Sequence, residues 1–158
     1  LSFHKNNLYG QIPHNIGALT NLKVLNFAHN NFNGEVPRSI GLLTRLTFLG
    51  FDDNNFNGSL EIGKLTNLVQ LCVAKNNFNG EINGLSKLVN LKYFSIRSNK
   101  FIPRNFTSLN VNSKILPKLK AFRIENSGIN YTIDEVKSAF PKCKRTSGPT
   151  GELFDDCV

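Results

Sequence analysis

The sequence predicts an α/β solenoid of about six coils, with a parallel sheet on its concave face and a short C-terminal capping helix. A ten-residue pattern recurs without gaps at Leu25–Gly34, Leu49–Gly58 and Leu71–Gly80. Each copy opens with alternating apolar residues, which is the period of a strand. An asparagine closes each alternation, with spacings of 24, 24, 22 and 23 residues: Asn6, Asn30, Asn54, Asn76 and Asn99. Since so short a unit cannot bury a core alone, the copies must stack.

The first element of each coil is a short strand followed by an asparagine bend. Strands of successive copies are expected to pair in parallel about 4.8 Å apart, with alternate residues pointing inward. The asparagine then turns inward, where its amide can bond backbone groups of its own turn and of the next coil. The fifth copy begins at Phe94 and the sixth at Phe122, where Ser127 takes the asparagine register.

The core is predicted from apolar columns that repeat with the coils. Two residues after each asparagine or its equivalent, an apolar side chain recurs at Leu8, Phe32, Phe56, Phe78, Phe101 and Ile129. The four phenylalanines are expected to stack as a spine. Leucines of the return limb fill the other side of the core: Leu19, Leu43, Leu65 and Leu88, with Leu22, Leu46, Leu68, Leu91 and Leu119.

The last predicted element is a helix over residues 132–140. Thr132 is its expected N-cap, Glu135 completes a capping box, and Pro141 ends it. Such a helix would cover the exposed end of the core, as terminal units of solenoids do. The chain is therefore divided into a solenoid of residues 1–131 and a C-terminal cap of residues 132–158.

The return limbs carry a family resemblance. Gly10–Leu19 and Gly34–Leu43 resemble the G-x-I-P-x-x-I-G-x-L limb of plant-type extracellular leucine-rich repeats, found in receptor-like kinase ectodomains and polygalacturonase-inhibiting proteins. The resemblance implies an extracellular recognition module of receptor-like type. The third and fourth copies lack the proline, and no paired-cysteine cap precedes Leu1. The chain contains no Met and opens within the repeat pattern, so position 1 is not expected to be the native start. The missing N-terminal cap is consistent both with a piece of a longer repeat array and with an assembly contact.

Ligand binding by such a solenoid is expected on the outward-facing strand positions. Small central residues, two aromatic side chains and mixed charge indicate a shallow surface for a protein or polysaccharide partner, formed by Asn26, Phe48, Gln70, Tyr93 and Arg97. The alternative interpretation is that these are ordinary strand-surface residues, with Phe48 and Tyr93 packing on each other's flank.

Charge and composition exclude several functions. The net charge of +8 favours acidic partners, but no basic run interleaved with aromatic residues indicates nucleic-acid binding. The chain contains no run of 18 apolar residues, the length needed to span a membrane. His29 and Asp53 are expected to form a solvated pair, and Cys72 to be a half-exposed strand residue too distant for catalysis with them. We expect no enzyme activity, no cofactor and no metal site.

Cysteines and sequons point to an oxidising compartment. Cys143 and Cys157 flank a turn-rich segment and could close a C-terminal loop as a disulfide. N-x-S/T sequons at Asn57, Asn105 and Asn130 are predicted glycosylation sites. The chain is thus expected to be secreted or displayed on the cell surface.

Two other functions remain open at this stage. Asparagine columns at regular spacing would suit an ice-binding face, formed by Asn7, Asn31, Asn55 and Asn77 with Asn33, Asn57 and Asn79. Asparagine also simply tolerates the turn conformations required there. A structural subunit of a surface coat or filament, assembling through strand edges, is the other alternative.

Overall fold

The computed structural model describes residues 1–102 and 105–145. The strands of these described residues are, in chain order, β1 (Tyr9–Gly10), β2 (Val24–Asn26), β3 (Asn31–Glu35), β4 (Phe48–Gly50), β5 (Asn55–Asn57), β6 (Leu60–Glu61), β7 (Gln70–Cys72), β8 (Ile82–Asn83), β9 (Tyr93–Ser95), β10 (Ala121–Arg123) and β11 (Lys144–Arg145).

The main sheet has the strand order β11-β10-β9-β7-β4-β2, and every pairing is parallel. The repeats set its register. Leu25 pairs with Leu49, Leu49 with Leu71, and Leu71 with Phe94. The predicted parallel sheet is confirmed, because equivalent residues of successive coils lie side by side.

The asparagine ladder is confirmed at Asn30, Asn54, Asn76 and Asn99, each only 6–7% exposed. Asn54 is representative. Its Nδ2 donates to the carbonyl of Phe27 in the preceding coil at 2.9 Å and to that of Phe51 in its own coil at 3.2 Å. Its Oδ1 accepts from the backbone N–H of Phe32 at 3.0 Å. One amide thus bonds two coils together at a buried bend and supplies the partner of the Phe32 N–H.

The residue before each ladder position adopts the left-handed backbone conformation, a feature that the sequence analysis did not predict. These residues have φ between 53° and 56°: Lys5, His29, Asp53, Lys75, Ser98 and Asn126. Non-glycine residues adopt this conformation only where the surroundings enforce it. Here the reversal turns the following asparagine inward, so ladder and backbone conformation are linked.

The predicted phenylalanine spine is confirmed. Phe32 and Phe56 stack with ring centroids 6.1 Å apart, Phe56 and Phe78 at 6.3 Å, and Phe78 and Phe101 at 5.3 Å. A second column, formed by Phe3, Phe27 and Phe51, was not predicted. The two columns meet, since Phe51 lies 5.0 Å from Phe56 in a tilted arrangement.

Leucines line the other side of the core. Leu43, Leu65, Leu88, Leu46, Leu68 and Leu91 are all 0% exposed. Leu119 is 8% exposed, Leu22 is partly buried, and only Leu19 of the first coil departs from the prediction, at 45% exposed.

The convex side is built from short 3₁₀ helices, which are His14–Ala18, Arg38–Leu42, Leu85–Lys87 and Phe106–Leu109. Pro13 and Pro37 directly precede the first two and are extended, with ψ of 144° and 138°. Between the main sheet and this side lie a second parallel sheet, β1-β3-β5, and the pair β6-β8.

Helix α1 (Ile133–Ala139) is the predicted cap. The Thr132 hydroxyl accepts from the backbone N–H of Glu135 at 3.1 Å, and the Glu135 carboxylate accepts from that of Thr132 at 2.6 Å. Val136 is buried, and the Phe140 ring meets that of Phe122 edge-on at 5.6 Å. The capping box and the covered core end are therefore confirmed, while the domain division at residue 131 stays a prediction.

Candidate functional site

Two rows of residues cross the concave sheet in hydrogen-bonded register. The first row runs Val24, Phe48, Gln70, Tyr93 and Ala121. The second row runs Ser2, Asn26, Gly50, Cys72, Ser95 and Arg123. The structure therefore brings four of the five predicted ligand-binding residues, Asn26, Phe48, Gln70 and Tyr93, onto adjacent positions of one surface.

Phe48 lies across the neighbouring glycine. A Cβ atom built on Gly50 would stand 2.7 Å from Phe48 Cε1, so the ring occupies the space that any side chain at position 50 would need. The same position is 3.0 Å from Asn26 Oδ1. Phe48 is half-buried and presents an apolar surface at the centre of the concave face.

Asn26 contributes less than the sequence analysis expected. Its side chain is 7% exposed, and its Oδ1 accepts a hydrogen bond from the backbone N–H of Ala28 at 3.0 Å. This local bond between a side chain and the backbone two residues later fixes the amide against its own strand. Asn26 therefore shapes the floor of the concave face and presents little surface of its own.

Gln70 separates the two aromatic residues. It pairs with Phe48 on one side and with Tyr93 on the other, so the aromatic residues lie two strand spacings, or about 10 Å, apart. The alternative in which Phe48 and Tyr93 pack on each other's flank does not fit this register. Gln70, Tyr93 and Arg97 are all half-buried.

Beyond these rows lies a charged cluster at the ends of the concave strands. Asp52 Oδ1 accepts from the backbone N–H of Ala74 at 2.5 Å. Burial raises the pKa of Asp52 to about 6, against the opposing effects of that hydrogen bond and of the charges on His29, Arg97 and Lys75.

The neighbouring His29 and Asp53 form an ion pair, as the sequence analysis expected. His29 Nδ1 lies 2.9 Å from Asp53 Oδ2, and the two side chains are 38% and 53% exposed. Within residues 1–102 and 105–145, no group of three or more His, Cys, Asp or Glu residues could hold a metal ion.

The cysteines differ from both predictions. Cys72 is 0% exposed and disulfide-bonded, so it is not the half-exposed strand residue expected from the sequence. Cys143 is a free thiol whose Sγ donates to the carbonyl of Leu119 at 3.0 Å, and burial raises its pKa. The expected Cys143–Cys157 bridge is therefore not formed at Cys143, because this thiol packs against the core cluster. Cys157 lies outside the described residues.

The three sequon asparagines, Asn57, Asn105 and Asn130, are all exposed. Asn57 ends β5, and Asn105 forms an isolated parallel bridge with Asn130. All three follow the ladder position of their coil, so they lie on the flank where the concave strands end, here called the strand-end flank. Their glycosylation stays a prediction.

The asparagine columns considered for ice binding do not form straight rungs. Asn33 pairs with Asn55 across the second sheet, and Asn31 pairs with Tyr9. Equivalent asparagines are thus offset by two residues between neighbouring strands. A regular flat array would need them side by side, so this geometry does not favour the ice-binding alternative.

A stack of short parallel strands closed by an asparagine ladder defines a leucine-rich-repeat solenoid. The family model described as a leucine-rich repeat region matches residues 1–147, and the chain belongs to this family.

Solved plant receptor structures share the fold. The chain is 26% identical to the ectodomain of the Arabidopsis thaliana receptor kinase SOBIR1, with a TM-score of 0.71, covering 82% of this chain and 70% of that one. The Arabidopsis receptor kinase HAESA, in complex with an IDA peptide hormone ligand, gives 28% identity, a TM-score of 0.75, and coverages of 90% and 24%. The plant peptide hormone receptor RGFR1, in complex with RGF2, gives 32% identity and a TM-score of 0.65, and the match covers 77% of this chain and 19% of that one.

The chain spans most of the SOBIR1 ectodomain but a quarter or less of HAESA and RGFR1. A comparison with curated protein sequences gives no significant match. In the described part of the chain, no helix combines the length and apolar character needed to cross a membrane.

Proposed function

We propose that this chain is an extracellular, non-enzymatic recognition module that binds an extended peptide segment of a partner across its concave face. The residues proposed for contact are Asn26, Phe48, Gln70, Tyr93 and Arg97. The observation that carries the proposal is the continuous row of Phe48, Gln70 and Tyr93 in register on three adjacent strands.

The chemistry of the row suits a peptide. Phe48 offers an apolar anchor beside the flat floor at Gly50, while Gln70 supplies an amide that can bond a peptide backbone. Arg97, farther along its strand, adds a cation that can meet an acidic side chain or a carboxylate terminus. Interfaces take most of their binding energy from a few such aromatic and arginine side chains.

The similar solved structures support the same choice of ligand. HAESA is described in complex with a peptide hormone, and RGFR1 with RGF2, and both share this fold with the present chain at 28% and 32% identity. A polysaccharide partner on the concave face has no comparable support. The extracellular location is proposed on the same similarity to receptor ectodomains.

A peptide selected from a random phage-displayed library against the full chain provides the probe. We expect the double variant Phe48→Ala/Tyr93→Ala to bind that peptide about tenfold more weakly or worse, because both aromatic anchors are lost. Its thermal unfolding should stay close to that of the wild type, since both side chains are only half-buried.

The matched control is Leu42→Ala/Val89→Ala, which removes two exposed apolar side chains, 53% and 47% exposed, from other faces. This control should keep wild-type affinity, measured by isothermal titration calorimetry. Equal affinity of the wild type and the Phe48/Tyr93 variant would contradict the proposal.

A further inference from the structure

Basic side chains line the flank of the solenoid where the concave strands begin, here called the strand-start flank. One row on this flank consists of Lys23, Thr47, Val69, Lys92 and Lys120. Its members lie side by side, because the backbone N–H of each donates to the carbonyl of the preceding one at 2.8–2.9 Å. The row crosses the main sheet from one coil to the next at strand spacing, about 4.8 Å per step.

A second row lies two residues earlier in each coil and consists of Asn21, Arg45, Asn67, Asn90 and Lys118. The two cations of this second row donate hydrogen bonds to asparagine side chains of the same row. Arg45 Nη1 donates to Asn21 Oδ1 at 2.7 Å, and Lys118 Nζ donates to Asn90 Oδ1 at 2.7 Å. All residues of the two rows except Asn21 and Lys120 line one shallow groove of about 600 Å³ that runs along the solenoid axis.

The charge on this flank is all of one sign. Residues 19–24, 43–48, 65–70, 88–93 and 116–121 contain five cations and no Asp or Glu. In the described part of the chain these five cations form no ion pair with a carboxylate. Lys92 and Lys120 are neighbours in the first row, about 4.8 Å apart and within a Debye length of about 8 Å at physiological salt, so their potentials add. Lys23 lies three steps, or about 14 Å, from Lys92. The groove is therefore an uncompensated positive strip.

The groove lacks the side chains with which proteins bind single-stranded nucleic acids or protein partners. Among the described residues that line it, none is aromatic and only Val69 is apolar. Single-stranded nucleic acid needs aromatic stacking platforms, and a protein hot spot needs buried aromatic or apolar anchors. Amides and a hydroxyl alternate with the cations instead, as in Asn67 and Thr47. This mixture matches a ligand that carries regularly spaced carboxylates and many hydroxyls.

We propose that the strand-start groove binds a linear acidic polysaccharide, of the kind in which uronic acid rings each carry a carboxylate, with its chain lying along the solenoid axis. The cations would meet the carboxylates, and the amides and Thr47 would meet the ring hydroxyls. The sequons lie on the opposite, strand-end flank, so glycans there would leave this groove open. The surface and the ligand both differ from those of the proposed peptide site.

Polygalacturonate is the probe, with its fully methyl-esterified form as the neutral counterpart. The groove variant is Lys23→Gln/Lys92→Gln/Lys118→Gln. The matched control, Lys64→Gln/Lys87→Gln/Lys114→Gln, loses the same charge from exposed lysines outside the groove. Binding to the full chain is measured by microscale thermophoresis at about 50 and 200 mM salt, a range over which contacts to a polyanion weaken strongly.

The expected result is that wild type and control bind polygalacturonate with affinity that falls with salt, while the groove variant binds about tenfold more weakly or worse and has a smaller salt slope. The esterified polymer should not bind. The proposal is overturned if the wild type does not bind, if the control weakens as much as the groove variant, or if the esterified polymer binds equally well. Polyglutamate binding as tightly, with the same dependence on the groove lysines, would overturn it in favour of an acidic polypeptide. Binding of the selected peptide by the groove variant reports separately on the concave face.

Discussion

At the scale of the residue, the ladder asparagines decide the structure. Asn54 is 7% exposed; its Oδ1 accepts from the Phe32 N–H, and its Nδ2 donates to the Phe27 carbonyl, which the Asn30 amide of the preceding coil also reaches. A buried N–H or C=O left without a partner costs roughly 1–3 kcal/mol each. The asparagine is therefore required by hydrogen bonding.

Replacing Asn54 by alanine should lower the free energy of unfolding by about 1–3 kcal/mol, since the buried Phe32 N–H loses its partner, while the Phe27 carbonyl still accepts from the Asn30 amide at 3.0 Å. Urea denaturation followed by circular dichroism gives the value. The adjacent and exposed Asn55 offers a matched control, because Asn55→Ala removes the same side chain without a buried partner and should stay within about 0.5 kcal/mol. Similar losses in the two variants would contradict this role of the ladder.

The residue before the ladder could not be assigned from the sequence. Lys75 and Ser98 are left-handed, with φ of 53°, yet neither residue type favours that conformation. The conformation is imposed by the ladder bonds on either side of it. Residue-type propensity therefore did not predict the left-handed conformation, whereas the repeat spacing of the asparagines predicted the ladder.

At the scale of the element, strands that recur with the repeat were predictable and elements that depend on neighbouring coils were not. The main sheet follows from alternation in one coil, as at Leu49 and Phe51. The second sheet needs the descending limbs of successive coils to approach, and its register, with Asn33 beside Asn55, is offset from the repeat by two residues. A repeat alignment alone cannot give that offset.

The candidate site divides in the same way. The positions of Phe48, Gln70 and Tyr93 in one row follow from repeat alignment and strand alternation. The burial of Asn26 and Cys72, which are 7% and 0% exposed, depends on packing in the folded molecule, which the sequence pattern does not encode. The basic groove was also missed, because its cations, Lys23, Arg45, Lys92 and Lys118, lie far apart in the sequence and only the stacking of coils brings them together.

The capping helix was predictable because its signals are local. Thr132 and Glu135 form both bonds of the capping box, and the helix holds Val136 against the core end. Thr132→Ala removes the hydroxyl that accepts from the Glu135 N–H and should cost about 1 kcal/mol of stability. Faster hydrogen exchange over residues 133–139 should accompany this loss, because the first turn of the helix frays.

Thr132→Ser is the control for this variant, since serine keeps the accepting oxygen and should stay near the wild type. A serine variant as unstable as the alanine variant would show that the methyl group of Thr132, and not its hydrogen bond, supports the cap.

At the scale of the whole molecule, charge is distributed unevenly. The chain carries a net charge of +8, with cations alone on the strand-start flank. The acidic residues Asp52 and Asp53 lie where the concave strands end, and Asp52 is the carboxylate whose pKa burial raises to about 6. The free energy of unfolding therefore depends on pH, because the folded protein keeps Asp52 protonated at pH values where the unfolded chain has released that proton.

The direction of this effect follows from the two pKa values. Between the ordinary value of 3.8 and about 6, the folded protein keeps Asp52 protonated while the unfolded chain has lost the proton. Stability from this group therefore falls as pH rises through that window, by at most about 1.4 kcal/mol per pH unit, and stays at its lower level above pH 6.

Asp52→Asn removes this titration and keeps an oxygen that can accept from the Ala74 N–H. We expect the variant to gain stability relative to the wild type progressively from about pH 4 to pH 6, and the gain to be constant at higher pH. Urea unfolding of both proteins at pH 4, 5, 6, 7 and 8 measures the difference, and the shared effects of the other titrating groups cancel in it. Parallel stability curves across this range would mean that Asp52 ionises as readily in the folded solenoid as in the unfolded chain, and that the stack is not coupled to pH through this carboxylate.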